Sequence, residues 1–272
     1  MSYQFKVTDI AHGPTFTHLS AAEARLATTL AHPKRIAIGC VIGLAALGWL
    51  ALGLMAGRSG SWLVLCSPDA SASDLVLLLP MWAAMTLAMM LPTAGPMVLT
   101  YAEIADTAAR KHEPVVSPLV LTAGYAAVWL GFALAAAVMQ AMLTRAALLD
   151  AGQAGVLLSA ALFLGAGLYQ FSALKRACLR LCQRPFPFFL ANWTTQARGV
   201  FRLGLRQGLY CLGCCWALML LMFALGAMNV LWMAALGMLM TIEKLTSTPR
   251  FARAIGIVFI AVGLGVGVAG LH

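Results

Sequence analysis

Charge is scarce in this sequence. Only 10% of its 272 residues are Asp, Glu, Lys or Arg, and only nine are acidic. A soluble domain carries about 25% charged residues, so a water-soluble globule is excluded. With 62% apolar residues, a disordered chain is excluded too. Histidine is missing where chemistry would need it: His12, His18, His32, His112 and His272 lie in tails and loops, outside every apolar run. No helical His pair and no nucleophilic triad can be assembled. A phosphate-binding loop is also lacking, which argues against ATP hydrolysis by the chain itself; an enzyme is not the favoured reading, though the sequence leaves that open. The first 33 residues have no signal-peptide core and read as a polar cytoplasmic tail. Strict polar–apolar alternation is absent, so a membrane β-barrel is disfavoured. Six of the seven cysteines, all but Cys66, fall on the expected cytoplasmic side or in the inner half. A reducing cytosol argues against structural disulfides there.

What the chain has is long apolar runs and a mean hydropathy of +0.89. A spanning helix needs about 20 apolar residues to cross about 30 Å of hydrocarbon. The sequence therefore predicts an all-α polytopic membrane protein, with spans near 36–56, 75–100, 119–143, 156–174, 208–226, 229–243 and 254–271, and a basic amphipathic cytoplasmic segment over 175–207. The span count turns on residues 208–242, which carry no formal charge. One helix of that length would reach about 52 Å, so the run reads as two helices joined by a turn at Gly226-Ala-Met-Asn229. With seven spans and a cytoplasmic N-terminus, every basic residue except Arg58 and Arg145 falls inside. With six spans, Lys244, Arg250 and Arg253 would move outside, against the positive-inside rule. A broken or re-entrant helix is the alternative for this run. The +9 formal charge thus reports orientation and contact with the lipid bilayer, not nucleic acid. Small-xxx-small pairs at Gly39/Gly43, Gly53/Gly57 and Gly263/Gly267 suit close helix packing.

Sulfur is concentrated. Tyr210-Cys211-Leu-Gly-Cys214-Cys215-Trp216-Ala-Leu-Met219 sets three cysteines at i, i+3 and i+4, on one helical face. Met219 and Met222 continue that face. Thiolates and thioethers are the ligands soft ions prefer, Cu(I) above all. Ordinary burial of small hydrophobes is the plain alternative. A second stripe, Met81, Met85, Met89, Pro92 and Pro96, lies on one face of the second span. Pro92 frees the Ala88 carbonyl, and Met89 to Met97 reads as a broken helix of the kind transporters use to hold cargo. Flexible methionine packing explains the same stripe without a metal.

A third group is Cys178 and Cys182, at i and i+4, placed to receive an ion and pass it to Cys211. Arg176, Arg180 and Arg184 share an adjacent face, and Phe186, Phe188, Phe189 and Trp193 follow. This stretch reads as an interfacial segment on anionic lipid. Glu243-Lys244 closes the sixth expected span. Glu243 is a candidate metal ligand or proton acceptor, and a helix-end charge reaching out to water is the alternative. Glu103 and Asp106 read as a solvated helix end.

These strings resemble a bacterial family of predicted metal-binding integral membrane proteins. The likeness rests on Met89-Met-Leu-Pro92 with Pro96-Met97, on Leu168-Tyr-Gln170 with Leu174-Lys-Arg-Ala-Cys178, on Gly208 to Met219, and on Glu243-Lys244. It covers roughly residues 75–250. It implies a multi-pass protein of the bacterial inner membrane with a metal, often supposed to be copper.

Three functions follow as expectations. The first is soft-metal handling, with Cu(I) held by Cys211, Cys214, Cys215, Met219, Met222, Cys178, Cys182, Met85, Met89 and Glu243, and passed to or from a donor or acceptor protein, or transported. The second is a thiol–disulfide relay through Cys211, Cys214 and Cys215. The third is a non-catalytic assembly subunit.

Overall fold

The computed structural model describes residues 33–58, 75–111, 113–146, 148–149, 152–226, 229–246 and 248–270. The N-terminal tail, Cys66 and all five histidines lie outside the described residues, as do Ala227 and Met228 of the expected turn.

Every regular element among the described residues is helical. The helices are α1 (Pro33–Arg58), α2 (Leu75–Arg110), α3 (Pro118–Arg145), α4 (Gln153–Tyr169), α5 (Ala173–Gln183), α6 (Pro185–Ala191), α7 (Ala197–Leu225), α8 (Val230–Leu245) and α9 (Pro249–Ala269). The all-α expectation holds. Four stretches are long and apolar enough to cross a membrane: Leu78–Ala108, Pro118–Arg145, Ala197–Leu225 and Arg250–Ala269. The bent pair α4–α5 makes a fifth if it is a single span. α8, with 16 residues, is only about 24 Å long, short of the hydrocarbon thickness.

Two expected boundaries move. The fourth span was expected to reach 174, but α4 ends at Tyr169 and the chain bends by 65° into α5. Ser172 caps α5, its hydroxyl accepting from the Lys175 N–H at 3.1 Å. The fifth span was expected from Gly208, but α7 begins at Ala197. Arg198, Arg202 and Arg206 recur at every fourth residue and are exposed, while Val200, Leu203 and Gly204 are buried. Arginine lowers the hydropathy of this stretch without disturbing its helical period.

The break in the 208–242 run lies where expected. Gly226 takes φ +86°, a backbone conformation that ends a helix and favours glycine. The Asn229 N–H donates to the Gly226 carbonyl at 3.0 Å. Its side-chain oxygen then caps α8 by accepting from the Leu231 and Trp232 N–H groups at 3.1 and 3.2 Å.

The expected break at Met89 to Met97 is not there. α2 is continuous, with Pro80, Pro92 and Pro96 inside it. Hydroxyls support its backbone around the prolines. Thr93 and Tyr125 both donate to the Met90 carbonyl, at 2.8 and 3.1 Å, and Thr100 donates to the Pro96 carbonyl at 2.8 Å. These bonds lie beside the prolines; the carbonyl that Pro92 leaves without its helical donor is that of Ala88.

Packing around the site depends on one close crossing. A Cβ added at Gly124 of α3 would strike the Phe201 carbonyl of α7, and one at Gly204 would strike the Leu121 carbonyl. The two backbones therefore touch. Gly208, one turn further along α7, lies against Val128. This crossing aims Tyr125, the next residue on α3, at the stretch of α7 that carries the cysteines. Among the expected glycine pairs, Gly263 and Gly267 do pack on α4, against Leu164 and Ala160, whereas Gly39, Gly43 and Gly53 meet nothing within 4 Å.

Candidate metal centre

The 3.6-residue period of α7 turns Cys211, Cys214 and Cys215 onto its buried face, where each is at most 2% exposed. The Cys214 and Cys215 sulfurs are 3.4 Å apart. Cys214 also donates to the Cys211 carbonyl at 3.1 Å, the local bond a cysteine makes within its own helix. Across the gap, α5 brings Cys182 within 4.0 Å of Cys214, sulfur to sulfur. Cys178 reaches α7 because Gly213 has no side chain, and a Cβ there would lie 2.6 Å from the Cys178 sulfur. The Tyr169 hydroxyl donates to the Gly213 carbonyl and holds the end of α4 to the same turn. The five thiols are free.

Cys211 has different company. Lys244 Nζ lies 2.9 Å from its sulfur and the Tyr125 hydroxyl lies 2.9 Å away. Lys244 also donates to Thr93 Oγ1 at 2.7 Å. Four helices, α2, α3, α7 and α8, thus meet at one sulfur. Lys244 does not reach out to water, the alternative raised for the charge that closes this span. It turns inward because Thr93 and Cys211 offer it partners that the surrounding apolar side chains cannot. It brings a positive charge to the sulfur that a soft cation would otherwise neutralise.

Glu243 points elsewhere. Its carboxylate binds Lys175 Nζ at 2.9 Å, and both side chains are at most 3% exposed. The Gln183 amide donates to the Glu243 and Thr246 carbonyls at 3.1 and 2.9 Å. These contacts clamp α5, with its two cysteines, to the end of α8.

The methionines occupy the apolar half of the same core. Met219 and Met222 are fully buried one and two turns beyond Cys215, and Met85 and Met89 are buried on α2. Met89 packs on Gly237 of α8, where an added Cβ would lie 3.6 Å from its side chain. The surroundings there are aromatic: Trp82 packs on Phe223 with tilted rings 5.2 Å apart and donates to Gln140 at 2.6 Å.

The sulfur spacing is chemically informative. With metal–sulfur bonds of about 2.3 Å, two thiolates sharing one ion sit roughly 3.8–4.6 Å apart, from tetrahedral to linear. The Cys182–Cys214 separation of 4.0 Å lies in that range, and Cys214–Cys215 at 3.4 Å is slightly tighter. Among the described residues no three His, Cys, Asp or Glu side chains close on a common point, since Cys211 is turned toward Lys244 and Tyr125.

The sequence points to the five cysteines but not to Tyr125 or Thr93, and Tyr169 and Lys175 enter only inside the family strings, without a role. Lys244 was noticed only as a helix end. A lone Tyr within an apolar run, and a Lys that directly follows an acid at the end of one, were the available signals.

The described residues form an all-helical bundle with membrane-length helices and a cluster of free thiols. Over residues 79–266 the chain matches PpoB2, a family described as a copper chaperone. It belongs to that family, and the family description supports copper as the metal handled. No curated protein and no solved structure matches the chain.

Proposed function

We propose that this protein is a multi-pass protein of the bacterial inner membrane that accepts Cu(I) on cytosol-facing thiols and hands it to a partner protein. In this reading residues 34–272 form the membrane domain, with seven spans and a cytoplasmic tail over 1–33. α8 crosses despite its length because α2, α5 and α7 pack against it and screen it from lipid on one side. The bias of Lys and Arg toward one set of loops supports this orientation.

The observation that carries the proposal is the convergence of α5 and α7. Cys182 and Cys214 lie at a metal-bridging distance, with Cys215 beside them and Cys211 two residues beyond Gly213 in the opposite direction. Cys178 and Cys182 make the first contact with the ion, and Cys211, Cys214 and Cys215 retain it. Met219 and Met222 extend the path into the bundle, where Met85 and Met89 offer thioethers from α2. Glu243 serves by fixing α8, and so Lys244, against α5.

The test is the copper content of anaerobically purified protein. About one ion per chain is expected, falling to background in the Cys211/Cys214/Cys215→Ser variant. Metal-free wild type after a Cu(I) challenge overturns the proposal. Loaded vesicles separate the two modes: copper appearing inside them signals transport, and copper moving only to an added acceptor protein signals handover.

The 4.0 Å between Cys182 and Cys214 also favours a second reading, a thiol–disulfide relay, because a small shift of α5 would join them. Thiol trapping under mild oxidant should capture a reversible Cys182–Cys214 bond if this reading holds. Thiols that stay free throughout exclude it.

A further inference from the structure

A second site lies on the far side of the α5–α8 clamp. A cavity of about 240 Å³ opens where the α4–α5 elbow meets α9 and the end of α8. Its lining includes Gln170, Arg176, Arg180, Glu243 and Arg253. The rim and floor differ in character. The rim carries three exposed guanidinium groups. Among them, Arg176 donates to the Phe171 carbonyl at 2.7 Å. The floor is closed: Gln170 is 2% exposed and Glu243 3%.

Among the described residues, both polar atoms of the Gln170 amide lack a hydrogen-bond partner, and so does Glu243 Oε1. Buried polar atoms without partners are rare because each forfeits hydration. Three of them around one basic cavity point to a missing ligand.

Their chemistry describes it. Three guanidinium groups match an anion of phosphate geometry. The Gln170 NH2 needs an acceptor, which phosphate also supplies. Glu243 Oε1 and the Gln170 carbonyl need donors, which a fully ionised phosphate does not supply. A phosphate ester carrying hydroxyl or protonated amine groups provides both. The surroundings favour a lipid as its source. Phe171, which lines the cavity, is 37% exposed, and Ile257 and Val258 on α9 are 62% and 56% exposed. That apolar strip gives acyl chains a surface immediately beside the headgroup.

We propose that this cavity binds the headgroup of a phospholipid whose phosphate carries hydrogen-bond donors, such as phosphatidylglycerol. The Arg176, Arg180 and Arg253 guanidiniums hold the phosphate, and the Gln170 amide with Glu243 Oε1 reads the donors. Phosphatidylcholine is discriminated against because its quaternary ammonium has no N–H for Glu243. The site is independent of the thiols, although Glu243 joins it to the clamp beneath Lys244.

The experiment is native mass spectrometry of the full chain in detergent, titrated with phosphatidylglycerol or with phosphatidylcholine of the same acyl chains. One phosphatidylglycerol per chain is expected to be retained in preference to phosphatidylcholine. Each guanidinium contributes about fivefold to retention, so Arg180→Gln with Arg253→Gln should weaken it roughly 25-fold. Gln170→Leu should narrow the preference over phosphatidylcholine while leaving the arginine contribution. Arg110→Gln, on α2 and paired with Asp106 at 3.4 Å, is the control and should change nothing. Copper content of all these variants should match wild type, which separates this site from the metal centre. Displacement by excess glycerol 3-phosphate would keep the phosphate-ester site and assign it a soluble source, and no displacement assigns a membrane source. Equal retention of the two lipids, or an Arg110→Gln loss as large as that of the arginine pair, overturns the proposal.

Discussion

The two ends of α7 are built on opposite principles. Near Cys211 the helix is surrounded by directional contacts: Lys244, Tyr125 and Thr93 on one side, Cys182 and Tyr169 on the other. Near Met222 it is held by shape, with Phe223 on Trp82 and buried methionines on both α2 and α7. Both ends are sulfur-rich and equally buried. Among the described residues, only at the thiol end do polar groups from separate helices converge on the sulfur. Composition nominates both ends, but three-dimensional convergence distinguishes them.

That contrast can be broken most severely at the charge pair. Glu243→Ala leaves Lys175 buried without its partner, and loss of one member of such a pair costs about 3–5 kcal/mol. The thermal midpoint in detergent should fall sharply, and the double variant Lys175→Met/Glu243→Met should recover most of it. A midpoint unchanged in the single variant would mean the pair is not buried as described. Next in size is the α3–α7 crossing. Gly204→Ala pushes a methyl into the Leu121 carbonyl, an overpacking penalty of about 1–3 kcal/mol. Because the crossing aims Tyr125 at Cys211, copper affinity should fall as well as stability.

The thiol–thioether contrast itself is sharpened by paired variants. Cys214→Ser should weaken Cu(I) binding at least about tenfold, about 1.4 kcal/mol. Met222→Leu, close to a volume-conserving change, should cost under about 1.5 kcal/mol in stability and leave affinity nearly intact. Competition against a Cu(I) chelator reads both, and a larger loss for Met222→Leu would invert the comparison. Smallest is Gly39→Ala. An added methyl there meets nothing within 4 Å, so stability should move by no more than about 0.5 kcal/mol.

The helices were largely legible because apolar runs of the right length admit few other structures. The Gly226–Asn229 break was legible from turn chemistry. The cysteine face was legible because its 3- and 4-residue spacing leaves a helix no choice of side. Three things were not. Pro92 reads locally as a breaker, yet α2 runs on through it, and Tyr125 bonds the Met90 carbonyl beside it from another helix. The start of α7 hid behind its arginines, since hydropathy averages charge over a window and ignores the face it occupies. The inward turns of Lys244 and Lys175 depend on partners 151 and 68 residues away in the chain, a separation that no local pattern encodes.

That separation of 68 residues has a consequence in time. Lys175 is made well before Glu243. At about 5–20 residues per second, its partner arrives roughly 3–14 seconds later. During that interval Lys175 has no counter-charge, so the clamp between α5 and α8 cannot close. A ribosome paused before Glu243 leaves every cysteine already made and that clamp still open.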